Sequence, residues 1–272
     1  MPIIVNNQFR REKSAQYRLS IQADLNGFSF SIVAPFENRL RYLYHSLVEH
    51  QASSEELAAE SFKKFLEEDS PLRDRYMGVE ILCNHPKYTA IPTLLYTPDR
   101  ALSVLSKVHS IDELDEIHSV ELPHWQMTLI YTLNGTVMNL MKQYHPQFHS
   151  YHSIETYLKY LPYFKEHNKI FFQYFNGFST IIVVEKTTLK FLNSFPTLHF
   201  TTALYHLLSV VNEVQFNPNH TTLYISGSLK EMEIFDLSNY FSQIKFFRNP
   251  ELPLPDEHSE LRYSTLLFDR KR

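Results

Sequence analysis

Asn26-Gly27-Phe28-Ser29 and Asn176-Gly177-Phe178-Ser179 are the same string met twice, 150 residues apart. Each copy lies between two apolar runs, and at the same offset Ile32 and Val33 recur as Ile182 and Val183. An Asn-Gly pair flanked by alternating hydrophobics is a strong hairpin signal, because both central residues of the tight turn need φ > 0. A hairpin repeated at half the chain's length points to a duplicated domain. Solenoid repeats have much shorter periods, of about 20–50 residues.

Working outward, Tyr17 to Ala23 and Phe28 to Ala34 read as the strands of the first hairpin, and Arg39 to Tyr44 as a third strand. Ser53 with Glu56 forms a capping box that opens a helix carrying Leu57, Phe62, Phe65 and Leu66 on its apolar side. Val79 to Cys83 is a short buried strand, and Ala90-Ile91-Pro92 a connection. Thr97-Pro98 starts a helix that runs to about Lys107. The acidic segment from Ser110 to His118 reads as solvated. A strand over Gln126–Thr132, a helix through Met138 and Met141, and a linking helix over Ile154–Phe164 complete the first half.

The second half restarts that order. Ile170 to Phe175, Phe178 to Val184 and Leu189 to Phe195 are three hairpin-linked strands. A helix over Thr202–Val214, a buried strand at Thr222–Ile225, a helix over about Lys230–Tyr240 and a strand at Ile244–Phe247 follow. The proline-rich tail carries one more apolar segment, Tyr263 to Phe268. Three antiparallel strands with two more reached through crossover helices make a mixed α/β sheet. This order matches the ribonuclease-H-like fold, and two tandem copies make an actin-like fold. The expected domains are a polar leader at 1–16, a first subdomain at 17–165 and a second at 166–272.

Composition narrows the function classes. Among 272 residues there are only 5 Gly, and neither GxGxxG nor GxxxxGK[ST] occurs, which excludes a conventional dinucleotide or P-loop site. The net charge of −4 argues against nucleic-acid binding by phosphate neutralisation. Cys83 is the single cysteine, so neither an intrachain disulfide nor a cysteine zinc site can form. No apolar run reaches the ~18–20 residues needed to cross a bilayer, and the charged leader has no signal-peptide core. A cytoplasmic protein is expected.

Individual residues offer candidates, each with a plainer reading. Turn amides at the two hairpins form nests that can hold an anion, but Asn-Gly also makes a tight turn for its own sake. Asp24 can orient a magnesium-bound water or simply accept a local hydrogen bond. Gly227, in Ser226-Gly227-Ser228, admits a close ligand or only a turn. His145, His149 and His152 are dense enough to suggest zinc, yet Pro146 interrupts any common helical face. Cys83 beside His85 has the residue types of a nucleophile and its base, but a cysteine ending an apolar strand behaves as a buried hydrophobe. The aromatics Phe171, Phe172, Tyr174, Phe175, Phe246 and Phe247 lack a basic surround and read as core or interface rather than a nucleic-acid platform.

The chain resembles the domain-of-unknown-function family numbered 3822, found in Bacteroidetes and placed with the actin-like ATPase superfamily. The resemblance rests on Leu19-Ser20-Ile21 leading to Asn26-Gly27-Phe28-Ser29, on Asn193-Ser194-Phe195, on Leu204-Tyr205-His206-Leu207-Leu208, and on Leu223-Tyr224-Ile225-Ser226-Gly227. It spans about Arg18 to Phe247. The superfamily's nucleotide-binding members carry an Asp and a Gly in each first hairpin, around ATP and Mg²⁺, and a Gly-Gly pair against the adenosine. Here Asp24 keeps the first acid, Tyr174 stands at the same offset in the second copy, and Gly227 is a single glycine. The resemblance thus implies Asp24, Asn26, Gly27 and Ser29, Asn176, Gly177 and Ser179, and Gly227 and Ser228 as the cofactor-binding residues, with no catalytic residue and no protein metal ligand assigned. With these elements degraded, the expected function is a non-catalytic or weakly nucleotide-binding scaffold that works through a protein partner. The alternative is an ATP-dependent ATPase or kinase with its site between the subdomains.

Overall fold

The computed structural model describes residues 3–6, 8–24, 27–45, 62–68, 70–175, 177–249, 252 and 264–268. Asn26, Asn176, the Ser53/Glu56 capping box and the prolines at 250, 253 and 255 lie outside them. The chain divides into two compact units, one running up to Thr156 and the other from Tyr157 to Phe268.

In the first unit β1 (Ile3–Asn6), β2 (Arg18–Asp24), β3 (Gly27–Ala34) and β4 (Arg39–His45) precede helical residues 62–67 (α1) and β5 (Gly78–Cys83). Then come β6 (Tyr88–Pro92), α2 (Ala101–Leu105), β7 (Asp115–Leu122), β8 (Met127–Asn134), α3 (Gly135–Tyr144), β9 (Phe148–His152) and the start of α4 (Ser153–Tyr160), whose residues from Tyr157 belong to the second unit. The main sheet has the order β1-β4-β3-β2-β5-β9. β2, β3 and β4 are joined antiparallel, while β5 runs parallel to β2 and β9 parallel to β5. Leu19, Ile21, Phe28, Phe30 and Ile32 point to one face, all buried, and Phe62 and Phe65 of α1 meet them with Phe28–Phe62 ring centroids at 5.4 Å and Phe30–Phe65 at 5.7 Å.

Three features depart from the expected pattern, one of them the strand β9, which the sequence pattern does not announce. The leader contains β1, whose β-branched Ile3-Ile4-Val5 run adds an antiparallel strand to the outer edge of β4. The segment between β5 and α3 folds as its own sheet, β6-β8-β7, so Ala90-Ile91-Pro92 is strand rather than connection, and the acidic segment becomes strand from Asp115 onward. β7 escapes a hydrophobic pattern because it is a half-exposed strand, paired among the described residues only with β8. Its first residue is buried at its side chain, where Lys87 Nζ donates to Asp115 Oδ2 at 2.8 Å and to Asp112 Oδ2 at 2.5 Å. α2 covers one face of this sheet through Ala101 and Leu105 against Ile130.

The second unit contains β10 (Asn168–Phe175), β11 (Gly177–Glu185), β12 (Thr188–Thr197), α5 (Phe200–Glu213), β13 (Thr222–Gly227), α6 (Glu231–Ser238) and β14 (Gln243–Phe246). Their order in the sheet is β12-β11-β10-β13-β14, with β13 and β14 parallel to β10, and their order along the chain is the one expected from the sequence. Phe200, Ala203, Leu207, Val210 and Val211 of α5 pack on Ile170, Phe172, Ile181, Val183, Leu223 and Ile225. The other face is aromatic: Phe171 stacks on Tyr224 at 4.9 Å, Tyr157 on Phe247 at 4.4 Å, and Phe247 on Phe268 at 4.8 Å. Each such ring, fully buried, contributes about 1.5–3 kcal/mol of transfer free energy. Phe171, Phe172, Tyr174, Phe175 and Phe247 are therefore core, while Phe246 is partly exposed.

The three clustered histidines do not converge. His145 Nε2 donates to the Leu72 carbonyl at 2.5 Å, His149 lies exposed on β9, and His152 Nε2 donates to the His85 carbonyl at 2.8 Å. His152 Nδ1 also accepts from the Ile154 amide at 3.2 Å, so both ring nitrogens are occupied in the neutral form. The ring packs between Tyr88 and Tyr131, and this burial pushes its pKa down to about 3. The unfolded chain, with an ordinary His pKa of about 6.5, binds a proton the folded state refuses throughout that interval. Stability is then fully present above pH ~6.5 and falls as pH drops toward 3, by up to ~1.4 kcal/mol per pH unit for this one group. His145, also lowered by burial, adds to the loss with the same sign. Urea-unfolding midpoints should fall between pH 6.5 and 4.5. In His152→Gln, whose amide can still donate to His85, that dependence should be flatter by about one proton.

Candidate functional site

Strand register places the two copies of the hairpin differently. In the first, Asp24 pairs with Gly27, so the two residues between them are 25 and 26, and Gly27 already belongs to β3. In the second, Phe175 pairs with Phe178, so the two between them are 176 and 177, with Gly177 at φ +103°. The repeated string is thus one residue out of step with the repeated fold. Other features agree on the structural alignment. The bulge in β3 lies between Ile32 and Val33, and that in β11 between Val183 and Val184. Phe28 and Phe30 face α1, and Ser179 and Ile181 lie on the strand face that α5 covers. Ala23 ends the pairing of β2 with β5, as Tyr174 ends that of β10 with β13.

A one-residue offset sends a side chain to the opposite face. The residue that occupies Asp24's place in the second hairpin is therefore Phe175, 1% exposed, and not Tyr174. Likewise the counterpart of Ser29 is Thr180. Ser29 lies on the face away from α1, across from Gln22, whereas Ser179 is fully buried beneath α5 with no hydrogen-bond partner for its Oγ among the described residues. Identical motif residues thus sit in different environments.

In the first unit the C-terminal ends of parallel strands bring polar groups together. Asp24 ends β2, and Asn84 follows the adjacent end of β5, one step beyond the Ala23–Cys83 pair. Ser153, the first residue of α4, donates from Oγ to Asn84 Oδ1 at 2.7 Å, with both residues buried. Asn84 Nδ2 is left without a partner among the described residues. Strand ends of this kind are where open α/β sheets receive ligands. Asn84 and Ser153 carry no sequence signal of their own, because 69 residues separate them and only the fold joins them. Cys83 Sγ donates to the Thr132 carbonyl at 3.7 Å, and His85 Nδ1 accepts from the Lys87 amide at 3.1 Å. Among the described residues no group of three His, Cys, Asp or Glu side chains is placed to hold a metal ion.

In the second unit Ser179, Tyr174 and Gly227 form one row across β11, β10 and β13, and the Ser228 amide donates to the Tyr174 carbonyl at 2.7 Å. Ser226 shares a 2.5 Å hydrogen bond with the buried Tyr157 hydroxyl. Gly227, at φ +96°, lies against the Tyr174 backbone, where an added Cβ would come within 2.0 Å of the carbonyl oxygen. That approach alone explains a glycine here. Gly177 has φ +103°, but a Cβ added there would meet nothing within 4 Å. Gly227→Ala should therefore lower stability by about 3 kcal/mol or more, adding backbone displacement to strain. Gly177→Ala should cost only the strain, about 1–2 kcal/mol. Chemical denaturation of the two variants side by side measures the difference.

The fold matches solved structures over nearly its whole length. A protein from Bacteroides thetaiotaomicron VPI-5482, described as having an actin-like ATPase fold and unknown function, superposes with a TM-score of 0.79 at 22% identity, covering 96% of this chain and 99% of that one. The type IV pilus biogenesis complex PilM-PilN contains a chain that matches with a TM-score of 0.52 at 9% identity, covering 92% and 96%. No match is found among curated proteins. The architecture is thus the duplicated ribonuclease-H-like, actin-like ATPase fold. Among the described residues no helix is long and apolar enough to cross a membrane. The profile of one family matches residues 6–244, and the chain belongs to that family, Protein of unknown function (DUF3822).

Proposed function

We propose that this protein is a cytoplasmic scaffold of the actin-like fold that acts through contacts with a protein partner and binds nucleotide weakly or not at all. The observation that carries this reading is the hairpin pair. Magnesium bound with a nucleotide is held by one or two carboxylates besides the phosphates. The first hairpin offers Asp24, but the equivalent place in the second holds the buried ring of Phe175. Gly227 is accounted for by the Tyr174 backbone. Exposed apolar side chains suit a role in protein contacts: Leu94 and Leu95 at 99% and 66% exposed, and Met232 and Phe235 of α6 at 75% and 68%. The pilus relative, in its own system, is found in a complex with a second protein.

A second reading, an ATP-dependent ATPase or kinase, draws on Asp24 together with the Asn84–Ser153 pair, whose amide has no partner among the described residues. Thermal unfolding with and without Mg-ATP separates the two. A ligand present at 100 times its Kd stabilises the folded state by about 2.7 kcal/mol, a rise in Tm of roughly 5–10 °C for a chain of this size. The scaffold reading expects a shift below about 1 °C at millimolar Mg-ATP and no phosphate release. A large shift that Asp24→Ala abolishes would establish nucleotide binding and sink it.

A further inference from the structure

We propose that one end of the first unit's main sheet docks on an anionic lipid surface, with Phe36 and Met77 entering the headgroup layer and a ring of cationic side chains meeting the lipid phosphates. Strand direction assembles this end. Arg18 starts β2 and pairs with Val33 near the end of β3 and with Gly78 at the start of β5, while Ala34 pairs with Arg39 at the start of β4. The turn from β3 to β4, the 3-10 turn Arg11–Gln16 ahead of β2 and the 3-10 turn Pro71–Arg73 ahead of β5 therefore share one end. Two contacts tie these segments. Arg11 Nε donates to Asp74 Oδ1 at 2.7 Å, and the Met77 amide donates to the Tyr17 carbonyl at 3.0 Å. Asp24 and Asn84 lie at the opposite end of the same strands.

Charge at this end runs against the whole chain, whose net charge is −4. Arg10, Lys13, Arg39, Arg73 and Arg75 are all exposed, and among the described residues none of them is paired with a carboxylate. Arg73 lies over the Tyr144 ring at 5.9 Å, which leaves its charge uncompensated. The acids here are mostly occupied. Asp74 is paired with Arg11 and Glu37 with Arg41, which leaves Glu12 facing the unpaired cations.

Two apolar side chains stand among them, Phe36 at 86% exposed and Met77 at 50%. Phe36 is held out by its turn, in which the Glu37 amide donates to the Ala34 carbonyl at 3.2 Å and the Asn38 amide to the Pro35 carbonyl at 3.3 Å. Peripheral proteins sit in a bilayer's interface by burying apolar side chains at the headgroup boundary while Lys and Arg are drawn to anionic lipid. A nucleic acid or an acidic peptide would also neutralise the cations, but neither gives Phe36 and Met77 an apolar medium. A lipid surface uses both features. The inference concerns the first unit alone and stands whether or not nucleotide binds.

Co-sedimentation of the full chain with vesicles tests it. At low salt the chain should pellet with phosphatidylcholine vesicles containing about one-third phosphatidylglycerol, and stay in solution with phosphatidylcholine alone. Salt at about 0.5 M, which shortens the Debye length to a few Å, should release it. Arg10→Glu combined with Arg75→Glu should raise the Kd for the anionic vesicles by about ten-fold or more. Phe36→Ser should weaken vesicle binding several-fold while leaving any binding to poly-glutamate or duplex DNA unchanged. A wild type that stays in solution with anionic vesicles overturns the proposal, as does pelleting that survives both salt and the double reversal. Vesicle binding that Phe36→Ser leaves intact assigns the cations to soluble polyanions and overturns it too. Should the double variant melt well below the wild type, Lys13→Glu with Arg39→Glu is measured in its place, with the same loss expected and an unchanged Kd overturning the proposal.

Discussion

The closing pair of a β-hairpin decides which side chains of three successive strands enter the core. Strand side chains alternate with a period of two, so a pair one residue earlier or later exchanges inside for outside along its whole length. Here that choice is made twice, at Asp24–Gly27 and at Phe175–Phe178. Both choices set an apolar row against a helix, Phe28, Phe30 and Ile32 in one unit and Ile181 and Val183 in the other. The core is what the duplication conserves in space. The string Asn-Gly-Phe-Ser, though repeated to the letter, is not.

Much of this architecture was legible because its signals are local. The second unit has clean apolar runs, turn residues between them and an amphipathic α5, and its elements fall where the pattern places them. The first unit was harder for identifiable reasons. Among the described residues β7 pairs on one side only, and it begins with acids that look solvated until Lys87 is seen reaching Asp112 and Asp115. β1 hides in a charged leader, since four extended residues carry no periodicity of their own and gain their place from β4. β9 was obscured by histidines whose imidazoles each serve a different backbone carbonyl or the solvent.

The candidate site was legible only in part, because sequence spacing reports neighbours along the chain and not across strands. Asp24 and Gly27 could be read together. Asn84 and Ser153 could not, and neither could the approach of Gly227 to the Tyr174 carbonyl, which requires β13 to lie parallel beside β10. The repeat itself misled at one point. Aligning the two strings puts Tyr174 opposite Asp24, whereas aligning strands, bulges and helices puts Phe175 there.

That correction changes how the two units compare on the face away from α1 and α5. In the first, Arg18, Ser20, Gln22, Ser29, Ser31 and Glu80 are all buried there, with Ser20 Oγ donating to Glu80 Oε2 at 3.4 Å. In the second, a cation and a glutamine persist as Lys169 and Gln173, while the places of Ser20, Ser31 and Glu80 are taken by Phe171, Ile182 and Tyr224. Lys169 Nζ holds the carbonyls of Glu166 and Lys186 at 2.8 and 2.6 Å, a structural clasp, and burial lowers its pKa. A buried aromatic ring contributes about 1.5–3 kcal/mol. The second unit has thus exchanged polar groups for packing on this face, while the first has kept them within hydrogen bonds such as that of Ser20 to Glu80. On this face the duplicated fold has kept its strand pattern while changing what its strands bury.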